Sequence, residues 1–203
     1  EVKRIRFTSP HPKDWSNDLA DLMASRPNIC KQLHLPLQAG ADRILELMHR
    51  RHTLREYLDK TAYLRSVAPT VEISTDMIVG FPSETDDEFE QTLRAIEEIR
   101  FSQIFSFKYS PRPGTKASEL PDDIPREVKE DRLARLIALQ ERINEEQMAA
   151  HIGSVHEILV EGRHPRKPGT WNGRTDGYRP VSFTQPGLRI GENSVIASGL
   201  ALT

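Results

Sequence analysis

The sequence predicts an α/β fold, with a parallel sheet and connecting helices, followed by a small all-β barrel. Strand-like apolar runs alternate with helical patterns over the first 150 residues, and the connections are long enough for right-handed crossovers. The run Met77–Val79 leads into the turn Gly80-Phe81-Pro82, a strand-to-helix corner of the kind where α/β proteins bind ligands. From Gly153 onward, glycines and prolines separate short strand-like segments, which is typical of small barrels.

Composition narrows the class of protein. Of the 203 residues, 37% are apolar and 29% are charged, which predicts a globular chain with a core. We find neither an apolar run long enough for a membrane helix nor a signal peptide. Net charge is −2, but residues 151–203 hold six Lys and Arg against four Asp and Glu. The tail is therefore mildly basic, which is compatible with an anionic partner.

The chain has a single cysteine, Cys30. A disulfide within the chain is therefore impossible, and the composition suits the reducing cytoplasm. One thiol cannot by itself hold an iron–sulfur cluster or a structural zinc. Because Cys30 lies just before an apolar strand, we predict a buried, inert thiol.

The first quarter of the chain predicts two strands and two helices. Alternation over Val2–Phe7 indicates a strand at the very start of the chain, from which we expect a piece of a longer protein. Ser16 is predicted to cap a short helix, with Leu19, Leu22 and Met23 on one side. Gln32–Leu37 reads as the next strand, with Pro36 near its end. Asp42 is predicted to cap a helix carrying Ile44, Leu45 and Met48.

Two capping boxes organise the middle of the chain. Thr53 with Glu56, and Thr85 with Glu88, each predict a helix start. Strands are expected at Val71–Val79, before the Gly80 turn, and at Gln103–Lys108, before the Tyr109–Thr115 loop. Pro125 is predicted to begin a long helix that ends near Ala149. The inward residues are expected to be Tyr57, Thr61, Leu64 and Ala68 in the first helix, Phe89, Leu93 and Ile96 in the second, and Leu133, Leu136, Ile137 and Ile143 in the third.

The character of the sequence changes near residues 150–153, where we place a domain boundary. Residues 1–150 form the α/β part, and residues 153–203 form the predicted β-barrel. Its strands are expected around Val155 and Glu157–Val160, Thr170-Trp171, Arg179–Phe183 and Ser194–Ala197. The end of the chain, Ala201–Thr203, is expected to lie in a last strand.

In a parallel sheet the loops after the strands form the ligand face. Here they are Thr8–Pro12, Gln38–Asp42, Gly80–Thr85 and Tyr109–Thr115. No nucleophile elbow, P-loop or dinucleotide fingerprint occurs in the sequence. The loops therefore favour a nucleotide-like cofactor over hydrolysis, with a plain tight turn at Gly80 as the alternative. Their polar side chains are His11, Gln38, Glu84, Tyr109, Ser110 and Arg112.

Four residues outside these loops have ordinary structural interpretations. His34 alternates with leucines and is read as a satisfied core or cleft histidine. Arg50 and Arg51 are read as solvated surface. Asp76 is read as the acceptor of a buried structural hydrogen bond.

Three segments in this order carry a family resemblance. They are His34–Asp42, Thr75–Thr85 and Phe107–Thr115, the last ending in Arg112-Pro113-Gly114-Thr115. Together they resemble the methylthiotransferases of the radical S-adenosylmethionine superfamily. Ile158–Gly162 and Gly173-Arg174-Thr175 in the tail are similar to the C-terminal TRAM domain of that family, a small RNA-binding β-barrel. Gly173-Arg174-Thr175 followed by Arg179–Phe183 resembles the tRNA-modifying branch, of the tRNA-2-methylthio-isopentenyladenosine synthase type, more than the branch that acts on a ribosomal protein.

The resemblance implies both fold and chemistry. The implied fold is α/β, the C-terminal part of a partial (βα)6 TIM-like barrel followed by a small all-β, OB-like barrel. Members reduce S-adenosyl-L-methionine with a 4Fe-4S cluster to make a 5′-deoxyadenosyl radical, and they add a methylthio group to a modified adenosine beside the anticodon. The implied partners are the tRNA anticodon stem-loop and an electron donor such as flavodoxin or ferredoxin, with a monomeric enzyme in the cytoplasm.

Site residues follow from the same resemblance. Gln38, Gly80, Phe81, Glu84 and Tyr109 are expected at the cofactor. Arg163, Arg166, Lys167, Arg174 and Arg179 are expected to bind RNA. No catalytic residue is assigned, and no metal ligand is expected within this chain.

The sequence also departs from the family pattern. The cluster-binding C-x-x-x-C-x-x-C loop does not occur among the 203 residues, so we expect this chain alone to be inactive. The turn Ala39-Gly40-Ala41 stands where the family often has Ser-Gly-Ser. Alternative functions are methylthiolation of threonylcarbamoyl-adenosine or of a ribosomal-protein aspartate, RNA binding without catalysis, and an aldolase-like barrel, for which Lys108 is the only candidate Schiff-base lysine.

Overall fold

The computed structural model describes residues 2–7, 9–191 and 193–197. Thr8 and Ala201–Thr203, for which sequence predictions were made, lie outside these residues. Short 3-10 turns occupy Pro12–Asp14 and Lys116–Glu119. The helices are α1 (Asn17–Ser25), α2 (Asp42–Leu47), α3 (Leu54–Val67), α4 (Asp86–Ile99) and α5 (Arg126–Ala150), and the strands are β1 (Gln32–His34), β2 (Glu72–Val79), β3 (Gln103–Lys108), β4 (Val155–Arg163), β5 (Trp171–Arg174), β6 (Pro180–Phe183) and β7 (Asn193–Ala197).

The first three strands form a parallel sheet in the order β1-β2-β3. Alternation along β2 sends Ile73, Thr75, Met77 and Val79 into the core, where each is at most 1% exposed. The helices add further residues to this core, including Ile44, Leu45, Tyr57, Leu64, Phe89, Ile96, Leu136 and Ile143. The predicted α/β fold with a parallel sheet is confirmed.

Three helices begin at the capping residues that the sequence predicts. The hydroxyl of Ser16 accepts from the backbone N–H of Leu19, as predicted for a helix N-cap. Both capping boxes form: Thr53 with Glu56 at α3, and Thr85 with Glu88 at α4. Each box satisfies backbone N–H groups that the first turn of a helix leaves without partners.

Several local predictions were wrong. Val2–Phe7 makes only an isolated parallel bridge, between Ile5 and Ile29, because the partner segment contributes just one paired residue. The strand β1 ends at His34, not Leu37; Pro36 has no N–H for the ladder, and pairing resumes at the bridge from Gln38 to Met77.

Asp42 and Ile137 also differ from expectation. Ala41 is the N-cap of α2, and the Asp42 carboxylate instead accepts from the backbone N–H of Leu54, at the start of α3. Ile137 is 41% exposed, since it lies one residue, about 100° of helical turn, beyond the buried Leu136. Leu22 of α1 is likewise 39% exposed.

The tail forms an antiparallel sheet in the order β6-β5-β4-β7. A separate apolar cluster lies on it: Ile158, Val160, Trp171, Val181 and Phe183. The helix α5 ends at Ala150 and β4 begins at Val155, so the predicted division near residues 150–153 falls in the connection. That division, and closure of this sheet into a barrel, stay predictions.

The tail contacts the amino-terminal edge of the parallel sheet. Arg179 binds Glu72, the first residue of β2, and the Asp176 carboxylate accepts from the backbone N–H of Lys31, just before β1. Arg6 donates to the carbonyls of Thr175 and Asp176. The tail therefore lies where the strands of the parallel sheet begin, at the opposite end from the loops that follow the strands.

Candidate functional site: a cleft at the carboxyl ends of the strands

A cleft of about 690 Å³ opens where β2 and β3 end. Three of the five residues predicted at a cofactor, Gln38, Phe81 and Tyr109, line it; Gly80 and Glu84 do not. Pockets of this size ordinarily hold small molecules. The remaining lining residues are Leu47, Met48, His49, Arg50, Asp76, Ile78, Phe107, Lys108, Ser110, Arg112, Thr115, Lys116 and Ala117.

The corner at Gly80 is shaped by its backbone. Gly80 has φ of 67°, in the left-handed region that glycine adopts without strain. A Cβ at this position would overlap Cγ of Lys129 on α5. Glycine thus lets the end of β2 turn directly under α5, and the next residue, Phe81, lines the cleft.

Glu84 stabilises the Gly80 corner on the side that faces α5. Its Oε2 accepts from the Gly80 N–H at 2.7 Å and from Nη1 of Arg132 at 2.8 Å. The two side chains of this ion pair are only 1% and 4% exposed, and Arg132 also reaches Asp86 at 2.7 Å. Burial raises the pKa of Glu84 above its usual range, although the Gly80 N–H and Arg132 oppose that shift. Glu84 therefore positions the backbone of the corner and faces α5, not the cleft.

An aromatic pair forms one wall of the cleft. The rings of Phe81 and Tyr109 meet edge to face with centroids 5.0 Å apart. The Tyr109 hydroxyl donates to the carbonyl of Ala117 at 2.7 Å, and the Lys129 ammonium lies 5.4 Å from the ring centroid. These contacts keep both rings in place against an incoming ligand.

Gln38 lies at the opposite side of the corner. Its backbone has φ of 78°, and it both donates to the Asp76 carbonyl and accepts from the Ile78 N–H, each at 2.9 Å. The following Gly40 lies so close to α4 that a Cβ would be 2.5 Å from the Cα of Thr92. Helix packing thus decides the path of the Ala39-Gly40-Ala41 turn.

The residues that sequence reasoning missed are Asp76 and Arg50. Both line the cleft, although Arg50 was read as solvated surface and Asp76 as a structural acceptor. Burial lowers the pKa of Arg50, and the nearby Asp76 carboxylate opposes the shift. Alternate residues of a strand point to the same face, so Ile78, Asp76 and Ser74 share one face of β2. This alternation, counted back from Gly80, could have identified Asp76 from the sequence.

Lys108 offers no support for Schiff-base chemistry. Its ammonium pairs with Glu130 at 2.8 Å, and the side chain is 37% exposed. Its nitrogen is therefore held in an ion pair with α5 and is not presented to a carbonyl substrate. Nor does the described part of the chain bring together three His, Cys, Asp or Glu side chains able to hold a metal ion.

The five cations predicted to bind RNA lie at two places in the tail. Arg163, Arg166 and Lys167 are exposed at the connection between β4 and β5, where Arg163 stacks on Trp171 at 4.0 Å. Arg174 is the last residue of β5, and Arg179 directly precedes β6. Arg174 stacks on Tyr178 at 4.1 Å and pairs with Glu161, whereas Arg179 is held by Glu72.

The comparisons with known proteins agree with this geometry. Residues 1–96 match the Radical SAM superfamily. These residues, just under half of the chain, resemble that superfamily in sequence. This part includes β1, β2, the Gly80 corner and most of α4.

Curated relatives match the sequence of both parts of this chain. The tRNA-2-methylthio-N(6)-dimethylallyladenosine synthase of Syntrophobacter fumaroxidans is 49% identical over 185 residues, which are 91% of this chain and 41% of that protein. The enzyme of the same name from Acidothermus cellulolyticus is 44% identical over 199 residues, 97% of this chain and 40% of that protein. The chain thus spans about two fifths of the length of the curated relatives it matches.

A solved structure supports the fold. Coproporphyrinogen III oxidase (HemN) from Escherichia coli, described as a radical SAM enzyme, superposes with a TM-score of 0.59 at 16% identity. The match covers 85% of this chain and 46% of HemN. At this identity the likeness concerns the fold alone.

The cleft fits S-adenosylmethionine, whereas this chain does not fit the iron–sulfur cluster. Apolar walls, the Asp76 carboxylate and two arginines match an adenine ring with a sulfonium, an ammonium and a carboxylate. The one cysteine, Cys30, is 1% exposed, as predicted for a buried thiol, and burial raises its pKa to about 11. A thiol so far from ionisation is a poor metal ligand. The 203 residues therefore contain no thiolate set for a cluster.

Proposed function

We propose that this chain supplies one wall of an S-adenosylmethionine cleft and the RNA-binding tail of a tRNA methylthiotransferase. The proposed reaction adds a methylthio group to an N6-dimethylallyl-adenosine next to the anticodon. The observation that carries it is identity of 44–49% to synthases of that name, extending over 91–97% of the chain in the Syntrophobacter and Acidothermus relatives.

The cleft residues have distinct tasks in this proposal. Gln38, Phe81 and Tyr109 bound the adenine side, and Gly80 lets the end of β2 turn beneath Lys129 of α5. Glu84 keeps the corner in shape through Gly80 and Arg132. When bound, S-adenosylmethionine would supply a radical able to activate a C–H bond, and the reducing 4Fe-4S cluster, with a flavodoxin or ferredoxin as electron donor, would have to be held by residues outside these 203. The protein orients the reactants and excludes water.

The tail is proposed to be a TRAM domain, residues 153–203, with an OB-like barrel, following a partial (βα)6 barrel at residues 1–150. Arg163, Arg166 and Lys167 are the cations placed to meet phosphates, since all three are exposed. Trp171 is buried in the apolar cluster of the tail, and Arg163 stacks over its ring, which holds that guanidinium in place.

The test is the content of modified adenosines in total tRNA from a strain that lacks the gene. We expect loss of the 2-methylthio-N6-dimethylallyl nucleoside and accumulation of its precursor without the methylthio group. Restoring the gene restores the product. Loss of a methylthio-threonylcarbamoyl nucleoside instead would contradict the proposed substrate, and an unchanged tRNA profile would contradict the proposed activity.

The same function predicts salt-dependent RNA binding by the chain. Reversing charge at Arg166 and Lys167 together should lower affinity for an anticodon stem-loop RNA and reduce the slope of log affinity against log salt by about two. Reversal at Arg142 on α5, whose guanidinium pairs with Glu97 and Glu146, is the matched control. If both variants show the same slope, Arg166 and Lys167 do not contact the RNA.

A further inference from the structure

Arg43 connects two elements that contribute to different sides of the cleft. It is the second residue of α2, and its guanidinium crosses to the segment that follows the Gly80 corner. Its Nε and Nη2 donate to the two carboxylate oxygens of Glu88 at 2.6 and 2.7 Å. Its Nη1 donates to the Ser83 hydroxyl at 3.1 Å, and Nη2 also donates to the Ser83 carbonyl at 2.7 Å. One side chain thus ties the start of α2 to the start of α4.

The helix α2 leads directly into one side of the cleft. Leu47, its last residue, lines the cleft, and so do the next three residues, Met48–Arg50. The backbone N–H of Arg50 donates to the carbonyl of Leu45 at 2.8 Å, which holds this stretch against the end of the helix. A change in the direction of α2 therefore moves this side of the cleft.

Ser83 is part of another side of the cleft. It lies two residues after Phe81, which lines the cleft. Its φ of 63° falls in the left-handed region that residues other than glycine rarely adopt. Contacts from two other elements hold it there: its N–H donates to the Asp123 carboxylate at 2.7 Å, and Arg43 binds its hydroxyl and its carbonyl. The turn that carries Phe81 thus depends on Arg43.

Glu88 gives the Arg43 guanidinium a single orientation. Its Oε2 also accepts from the backbone N–H and the hydroxyl of Thr85, at 2.9 and 3.0 Å, so the carboxylate is fixed to the first turn of α4. Two N–H groups of one guanidinium that bind one carboxylate define direction as well as distance. The Arg43 side chain is 48% exposed, and ion pairs with so exposed a partner contribute modestly to the free energy of unfolding.

We propose that Arg43 is a positioning residue for S-adenosylmethionine, because it fixes the Leu47–Arg50 side of the cleft relative to the Phe81 side. The inference rests on the proposed function, in which the cleft holds that molecule. Arg43 itself does not line the cleft. It acts through the direction of α2 and through the backbone of Ser83.

Two other polar contacts attach the region of α2, and they leave its direction open. The N–H of Gly40 donates to the Thr92 hydroxyl of α4 at 2.9 Å, and the Asp42 carboxylate accepts from the N–H of Leu54 at 2.7 Å. Two points of attachment permit rotation about the line that joins them. Apolar packing of α2 adds buried area but is not directional. The Arg43 guanidinium supplies the third directed contact.

Affinity for the cofactor should be sensitive to this third contact. A ligand that touches two sides of a cleft binds tightly only when both are already in place, because otherwise binding has to order them. Sites of this kind need their side chains within about 0.5 Å of the productive geometry. Loss of the Arg43 contacts should therefore weaken binding while the chain stays folded.

Titration calorimetry of S-adenosylmethionine with the 203-residue chain measures the effect. We expect Arg43→Ala and Arg43→Lys each to raise Kd by about tenfold. Lysine keeps a positive charge beside Glu88 but lacks the planar fork. The denaturant midpoint of Arg43→Lys should therefore stay close to wild type, although its affinity does not recover. Amide hydrogen exchange over Leu47–Arg50 should be faster in both variants.

Arg135→Ala is the matched control, since Arg135 forms a similarly exposed ion pair with Glu90, farther along α4. It should keep wild-type affinity and wild-type exchange. If Arg43→Lys recovers both stability and affinity, only charge matters and the inference is overturned; Arg43→Ala binding within twofold of wild type overturns it as well. A wild-type chain that does not bind S-adenosylmethionine contradicts the proposed cleft, and the inference with it. Unchanged binding in the variants leaves the proposed function intact, so the two failures are distinguishable.

Discussion

Glu72 and Arg179 lie 107 residues apart in the sequence and form a two-pronged ion pair, with N–O distances of 2.6 and 2.9 Å. Their side chains are 15% and 12% exposed, and Arg179 also donates to Gln147 of α5 at 2.8 Å. A paired guanidinium fork fixes orientation as well as distance. This pair therefore sets how the tail is presented at the edge of the parallel sheet.

Removing Glu72 should loosen the tail. We expect Glu72→Ala to lower the free energy of unfolding by about 2–3 kcal/mol, because Arg179 is left half-buried without its carboxylate. Denaturant unfolding measures the loss, and hydrogen exchange should rise in β5 and β6. Glu97→Ala is the control, since its pair with Arg142 is about half exposed and is worth about 0–1 kcal/mol. Equal losses in the two variants would contradict the assigned role.

Removing Arg132 should disrupt the Gly80 corner. We expect Arg132→Met to lower the free energy of unfolding by about 3–5 kcal/mol, because the buried Glu84 carboxylate loses its charged partner. The double variant with Glu84→Gln should recover part of this loss, as the unpaired charge is gone. Thermal unfolding of the single and double variants measures the difference. A double variant no more stable than Arg132→Met would contradict the ion pair as the cause.

Glu88 should make stability depend on pH in the acid range. The Arg43 guanidinium and the Thr85 cap lower its pKa to about 2, below its ordinary 4.5. The unfolded chain therefore binds this proton more readily, so the stabilisation is present above pH 4.5 and is lost as pH falls towards 2. Glu88→Gln keeps the capping box but should lower the free energy of unfolding at pH 7 by about 1–2 kcal/mol. The stability of this variant should also vary less between pH 4.5 and 2 than that of wild type.

Denaturant midpoints across that pH range provide the measurement for Glu88. Glu90→Gln serves as the control, because Glu90 is 42% exposed in its pair with Arg135. Its pH profile should follow wild type. If Glu88→Gln and wild type lose stability in parallel below pH 4.5, another carboxylate carries the effect.

His52 should be a source of instability in mild acid. The residue is 7% exposed, and neither ring nitrogen has a hydrogen-bond partner among the residues that the structure describes. Burial, with smaller contributions from His11 and Arg50, lowers its pKa to about 4 from an ordinary 6.5. Protonation therefore favours the unfolded chain, and stability falls as pH drops from 6.5 towards 4.

Replacing His52 with Leu should remove that fall and raise the free energy of unfolding at pH 7 by about 1 kcal/mol, since no unsatisfied imidazole remains buried. Unfolding curves at pH 7 and pH 5 distinguish the two effects. If His52→Leu is less stable than wild type at both pH 7 and pH 5, the imidazole makes a stabilising contact.

Much of the architecture was predictable because its signals are local. The capping boxes at Thr53 and Thr85 involve residues three apart, and the strand at Gln103–Lys108 was predicted with its observed ends. The Gly80 corner was recognisable from an apolar run ending in glycine. The loops that carry Gln38, Phe81 and Tyr109 were predicted on one face because the carboxyl ends of parallel strands meet there, whereas the assignment of these residues to a cofactor came from the family resemblance.

Only the tertiary structure decided which way the charged side chains of this site face. Glu84 follows the corner in sequence, yet it turns to Arg132, 48 residues later. Asp76 and Arg50 looked ordinary but line the cleft, and Phe105 meets His34 across an intervening strand. Periodicity and capping depend on neighbours within one turn or one strand, so sequence alone determines them. Ion pairs and open faces depend on where distant elements pack, and that is settled when the sheet, α5 and the tail come together.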